Sequence, residues 1–203
     1  MASNLTRTAR WLNMQSKAHA LPSMLFLTDD VRTPDPVVSI TNLPRDTGVI
    51  FRHYNHPDRE LLAASCAEVC RKQRRFFSVA GDGRLALCVG AQGVHLPERL
   101  LHLAPRIKDF APRLFITAAV HSKRALLYAH QCGAHAALAS PVFPTTSHPD
   151  ARTLGPVHLA RWSQDTSLPL YALGGIDQSS AQRIKGTGVV GIAAIGALMN
   201  EKT

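Results

Sequence analysis

Eight short runs of strand-type residues recur along this chain, with helix-like stretches between most of them. They are MLFLT (24–28), GVIFR (48–52), FFSVA (76–80) and GVHL (93–96), then LFITAAV (114–120), AALAS (136–140), LYALGG (170–175) and VVGIAA (189–194). Most are rich in the branched and aromatic residues that suit a pleated surface, and all are too short for a typical helix. Between them lie DRELLAASCAEVCRKQ (58–73), SKRALLYAHQCG (122–133), GPVHLARWSQ (155–164) and DQSSAQRIKGTG (177–188), which read as helices. Ser122 and Asp177 stand where N-caps belong, and Gly133 stands where a helix ends. Such alternation predicts parallel strands joined by helical crossovers. Eight units predict a closed α/β architecture, a compact (β/α)8 TIM barrel, where five or six would make an open sheet. No G-x-G-x-x-G follows the first run, which argues further against the open sheet. Barrels of this kind typically have about 250 residues, so a 203-residue chain must use short helices and loops. With no linker or low-complexity tract, the reading is one barrel domain over 1–203, with 1–22 an N-terminal helical extension.

The composition supports a folded core: 45% of residues are hydrophobic and 18% charged. No run approaches the roughly 18 apolar residues of a membrane span, and the N-terminus lacks the apolar core of a signal peptide. The expectation is a soluble cytoplasmic protein without a membrane partner. Cys66 and Cys70 share one helix face with Leu62 and Val69, and no further metal ligands lie nearby in the sequence. They read as buried, reduced thiols, as do Cys88 and Cys132. Lys and Arg number 23 against 14 Asp and Glu, a formal charge of +9. That excess attracts anions, phosphorylated metabolites included. Aromatics make up only 6% and no nucleic-acid reader motif occurs, so the expected partner is a phosphorylated small molecule and not nucleic acid.

In a (β/α)8 barrel the chemistry lies at the C-terminal ends of the strands, with phosphate commonly held near strands seven and eight. The stretch SPVFPTTSHPD (140–150) leaves the sixth run on that face. Thr145, Thr146 and Ser147 offer hydroxyl donors and His148 can add charge. Gly174 and Gly175, at the end of the seventh run, would let backbone amides approach an anion from the other side. Together they read as a phosphate site.

The order of GVHL, VHS, PVFPT and GGI, set within LALCVGAQGVHLPE, AAVHSKRALLYAHQCGAHAALASPVFPTTSHPDA, LPLYALGGID and GVVGIAAIGAL, resembles the thiamine phosphate synthase family, which also contains the thiazole tautomerases. The likeness covers roughly residues 24–199. It implies the (β/α)8 fold and a transferase that joins an aminopyrimidine pyrophosphate to a thiazole phosphate with Mg²⁺, releasing pyrophosphate. It places Thr145, Ser147, Gly174 and Gly175 at the phosphate and Arg52 at the pyrophosphate, as the catalytic cation. The sequence differs from the family pattern at several points. Ile50 and Tyr54 flank Arg52 where the family carries Gln and Lys at alternate positions that all face into the barrel, with His53 on the opposite strand face. His148 replaces a lysine, and Ala119 a serine. Ala80-Gly81-Asp82 replaces Asn-Asp-Arg, and Pro97-Glu98-Arg99-Leu100 replaces Gly-Gln-Glu-Asp. Asp82 and Glu98 are the carboxylates left to hold the metal from shifted positions. The tautomerase branch has a histidine where Pro141 stands, while His95 and His121 belong to the general family pattern. A buried arginine such as Arg52 calls for an anion or a carboxylate to meet it. Two functions stay open: the synthase reaction, or a barrel that keeps the phosphate pocket and binds a thiamine-related ligand without turning it over. A homo-oligomer is compatible with the sequence, which does not fix the assembly.

Overall fold

The computed structural model describes residues 3–145 and 151–195. Eight parallel strands close into a barrel in chain order: β1 (Met24–Leu27), β2 (Thr47–Phe51), β3 (Phe77–Ala80), β4 (Gly93–Leu96), β5 (Phe115–Val120), β6 (Ala136–Ala139), β7 (Leu170–Leu173) and β8 (Gly191–Ala194). Closure comes from β8 pairing with β1. Every run read from the sequence is a strand, with bounds moved by no more than two residues. Short crossovers make eight units fit. Helices α2 (Pro36–Thr41) and α4 (Gly83–Cys88) have six residues each. The others around the barrel are α3 (Arg59–Lys72), α5 (Ala104–Phe110), α6 (Lys123–Gln131) and α7 (Gly155–Gln164).

Strand side chains alternate in direction, so each strand feeds two cores. Leu25, Leu27, Ile50, Ala80, Ala136, Leu138, Tyr171 and Ala193 fill the barrel interior. Their partners Phe26, Val49, Phe51, Val79, Val94, Leu96, Ile116 and Ala118 face outward under the helices. The interior is narrow enough that glycine is required beside its largest residue. A Cβ on Gly191 would lie 2.2 Å from the Ser23 carbonyl oxygen and 2.9 Å from the Tyr171 ring. The Tyr171 hydroxyl donates to the Pro22 carbonyl at 2.6 Å, which satisfies a polar group at the floor of the barrel. The N-terminal helix α1 (Asn4–Gln15) buries Leu5, Ala9 and Leu12 against the barrel. Asn13 beyond them donates to the carbonyls of Leu21 and Val190.

The expected helix caps at Ser122 and Gly133 are present: Ser122 Oγ accepts from Ala125 N at 3.0 Å, and Gly133 follows α6 at a φ of 80°. The helix expected over 177–188 is not there. That segment makes only a 3-10 turn at Ala181–Ile184. Asp177 does not cap a helix; its carboxylate gathers the backbone and hydroxyl donors of both Ser179 and Ser180. This tight turn, with Gly186 and Gly188 both at positive φ just downstream, leaves no room for helical turns. The same donors hold the Asp177 carboxyl down at about 2.

Cys66 and Cys70 are buried on the inner face of α3, and burial pushes both thiols up to about 12. Cys132 is half-buried, and Cys88 departs from the expectation because it is exposed at the end of the short helix α4. All four are free thiols. The basic run 71–75 is partly structural. Arg75 donates to the carbonyls of Leu43 and Pro44 at 2.6 Å and so fastens the loop before β2. Among the described residues no helix is long and apolar enough to cross a membrane.

Candidate active site

Those of the residues singled out above that the structure describes, Arg52, Asp82, Glu98, Thr145, Gly174 and Gly175, follow strand ends at the C-terminal rim, on two sides of it. On one side the loop after β6 runs over the turn that ends β7. Val142 N donates to the Leu173 carbonyl at 2.9 Å and Phe143 N to the Gly174 carbonyl at 3.0 Å, so the two strands stay paired beyond their ends. This close approach demands glycine. A Cβ on Gly174 would lie 3.0 Å from Pro141, and one on Gly175 would lie 2.4 Å from the Pro144 carbonyl oxygen, with φ values of 93° and 65°. The glycine pair thus has a packing role: it seats the loop that carries Thr145. Thr146, Ser147 and His148 lie outside the described residues.

On the other side, Arg52 follows β2 and meets a carboxylate that the sequence reading missed. Its Nη2 is 3.9 Å from Asp29 Oδ2, just past the end of β1. The signal was available, since the acidic pair Asp29-Asp30 follows the C-terminal end of a strand-type run. Asp29 Oδ1 accepts from the backbone of Val31 and Arg32, and these bonds with the nearby Arg52 and Arg32 guanidiniums outweigh desolvation and lower its pKa. Below Arg52, inside the barrel, His95 is 4% exposed and its Nδ1 lies 2.9 Å from Thr117 Oγ1. Desolvation, with Arg52 adding repulsion, depresses the His95 pKa to about 3. The ring is therefore neutral near pH 7 and serves the interior as a hydrogen-bonding core residue.

Tyr54 does not follow Ile50 and Arg52 into the barrel. The strand ends at Phe51, the alternation ends with it, and Tyr54 lies across the end of β3. A Cβ on Gly81 would be 3.2 Å from the Tyr54 ring, and the Arg59 guanidinium sits 5.9 Å from its centroid. Arg59, from α3, donates to the carbonyls of His53 at 2.8 Å and Ala80 at 2.7 Å. It thereby ties the ends of β2 and β3 together.

Asp82 and Glu98 come from neighbouring strand ends, with Ala80 of β3 opposite His95 of β4. Asp82 Oδ1 accepts from Arg84 N and Leu85 N at 2.9 Å and caps α4, while its Oδ2 is 3.6 Å from Arg59 Nη1. Glu98 Oε2 accepts from His121 N at 2.9 Å, and His121 Nδ1 in turn lies 3.0 Å from the Ser140 carbonyl. No group of three or more His, Cys, Asp or Glu side chains able to hold a metal occurs among the described residues. Magnesium bound to a phosphorylated substrate needs fewer protein ligands. It commonly takes one or two carboxylates, with phosphate oxygens and waters completing the shell. Asp82 and Glu98 are each oriented through one oxygen by backbone donors, which leaves the other oxygen of Glu98 for such a role while that of Asp82 faces Arg59.

The sequence matches the family model described as thiamine monophosphate synthase over residues 45–198. The chain belongs to the thiamine monophosphate synthase family. It is 36% identical over 181 residues to a thiamine-phosphate synthase of Pyrococcus furiosus, covering 86% of each chain. A putative thiamine-phosphate synthase 2 of Aquifex aeolicus is 33% identical over 153 residues, 74% of this chain and 82% of the relative. Among solved structures, a thiamine phosphate pyrophosphorylase from Pyrococcus furiosus superimposes with a TM-score of 0.77 at 29% identity, covering 95% of this chain and 91% of that one. Membership places the protein in a family of thiamine biosynthesis.

Proposed function

We propose that the barrel is a transferase that condenses an aminopyrimidine pyrophosphate with a thiazole phosphate at its C-terminal rim. The observation that carries this reading is Arg52, half-buried at the end of β2 and facing Asp29 at 3.9 Å. That distance places the charges together without a direct hydrogen bond, so a pyrophosphate can take the guanidinium over from Asp29. A departing pyrophosphate concentrates negative charge, and a preorganised cation in a partly dry site stabilises it more than water does. Thr145, with Thr146, Ser147 and His148 beyond the described residues, and the Gly174-Gly175 turn would hold the thiazole phosphate. His95 stays neutral and adds no charge beneath the reacting groups. Asp82 and Glu98 would hold Mg²⁺ with the pyrophosphate oxygens, where it supplies neutralisation of the leaving group.

A second reading has its own support. Asp82 already faces Arg59 and caps a helix, and Arg52 already faces a carboxylate. A rim so internally neutralised suits a barrel that binds a phosphorylated, thiamine-related ligand without converting it. Turnover separates the two. Purified protein is given both substrates and Mg²⁺, and thiamine phosphate is followed as its oxidised fluorescent product. Turnover that is lost on Arg52→Ala supports the transferase. A folded protein that binds phosphate ligands and makes no product supports the binding barrel.

A further inference from the structure

Arg52 lies one residue past β2, where the strand ladder no longer fixes the backbone. What fixes it is a buried chain of hydrogen bonds. Arg52 N donates to Thr28 Oγ1 at 2.8 Å, and Thr28 is fully buried just past β1. Thr28 Oγ1 is also 2.9 Å from His53 Nδ1, and His53 Nε2 is 3.1 Å from the Thr33 carbonyl oxygen. A carbonyl only accepts, so Nε2 carries the proton of the neutral ring and Nδ1 is the acceptor. The Thr28 hydroxyl therefore donates to His53 and accepts from Arg52, and each bond in the chain has one direction. Beyond His53 the chain reaches Asp29. Thr33 Oγ1 accepts from Asp29 N at 2.6 Å and donates to the Asp29 carbonyl at 2.8 Å. Asp29 then presents Oδ2 to the Arg52 guanidinium. The network meets Arg52 at its backbone through Thr28 and at its side chain through Asp29. Phe51 stacks on the His53 ring at 5.2 Å, and Arg59 Nε donates to the His53 backbone carbonyl, so the ring and the backbone of His53 are each held.

We infer that Thr28 and His53 are positioning residues for the anion site, holding Arg52 and its counter-ion Asp29 at a fixed spacing over the barrel mouth. The inference rests on the reading of Arg52 as a pyrophosphate contact. A binding cation must be held to a fraction of an ångström to be worth its charge, and the pairing of β2 with β1 and β3 stops at Ile50 and Phe51, short of Arg52.

The test uses inorganic pyrophosphate as the probe, titrated calorimetrically into the full chain well below its melting temperature. Thr28→Val keeps the buried shape and removes both hydrogen bonds, and it should weaken pyrophosphate about tenfold; Thr28→Ser should restore the affinity. The decisive readout is the double variant. In an Arg52→Ala background, Thr28→Val should change affinity no further while still lowering the melting temperature as it does alone. An equal affinity for wild type and Thr28→Val, or effects of the two substitutions that simply add, overturns the positioning role and leaves the transferase reading intact. A wild-type chain that does not bind pyrophosphate removes that reading and the inference with it. If Thr28→Val does not fold, His53→Gln carries the same comparison, since it loses the acceptor at Nδ1 and can still donate toward Thr33.

Discussion

Acid should destabilise this barrel through His95 well before it reaches the carboxylates. The ring is enclosed between the barrel strands, and its pKa falls from the ordinary 6.5 to about 3. Above pH 6.5 it is neutral in both folded and unfolded chains and contributes no pH dependence. Below 6.5 the unfolded chain takes up a proton that the folded chain refuses, so stability falls as the pH drops toward 3. At pH 5 the difference is roughly 1.5 pH units, or about 2 kcal/mol at 1.36 kcal/mol per unit. For a chain of this size that corresponds to a melting point lower by about 4–8 °C. His53 and His135 are also held below their ordinary values by burial and add to the total. The perturbation that isolates His95 is His95→Asn, which keeps a hydrogen-bonding group near Thr117 Oγ1 and cannot titrate. Thermal melts of wild type and His95→Asn at pH 7 and pH 5 should show the variant less stable at pH 7 and less sensitive to acid, by about 2 kcal/mol over the interval. Equal pH dependence in the two proteins would refute the reasoning, because it would mean that the buried ring takes up its proton as easily as an exposed one.

Three further outcomes are expected. Gly175→Ala should cost about 2 kcal/mol or more in urea unfolding, since it forces a Cβ against the Pro144 carbonyl at a positive φ; a change of a few tenths would show that the loop after β6 can move aside. Asp82→Ala should cost about 1 kcal/mol through the lost α4 cap, and it should abolish any Mg²⁺ enhancement of pyrophosphate binding measured by calorimetry. Retained enhancement would take the metal away from Asp82. Thiol labelling of the native protein near pH 7 should leave Cys66 and Cys70 unmodified and label Cys88, with all four reacting in denaturant; fast labelling of Cys66 would show that α3 opens.

How much of the site was legible from sequence varies residue by residue. Gly174, Gly175 and Arg52 were placed at the C-terminal rim because each stands at the end of a strand-type run, and the structure has them just past β7 and β2. Asp29 was not, because its role depends on β1 and β2 lying side by side, a contact between residues 23 positions apart in sequence. Tyr54 was placed inside the barrel by extending the strand alternation past Phe51, where the pleat that justifies it stops. The helix expected over 177–188 failed for a local reason. Asp177 can cap a helix or close a tight turn, and Ser179 and Ser180 supply the donors that favour the turn.

By itself the sequence determined the eight strands and their order, because strand periodicity and turn residues are local properties that tertiary contacts do not reverse here. It also determined the family, through motifs whose order survives considerable substitution. Tertiary structure alone decided which charges meet. Arg52 faces Asp29, Arg59 faces Asp82, and Glu98 serves the His121 amide because neighbouring strand ends come from distant parts of the chain. The charge state of His95 was decided in the same way, since desolvation depends on what the closed barrel places around the ring and not on the residues beside it in sequence.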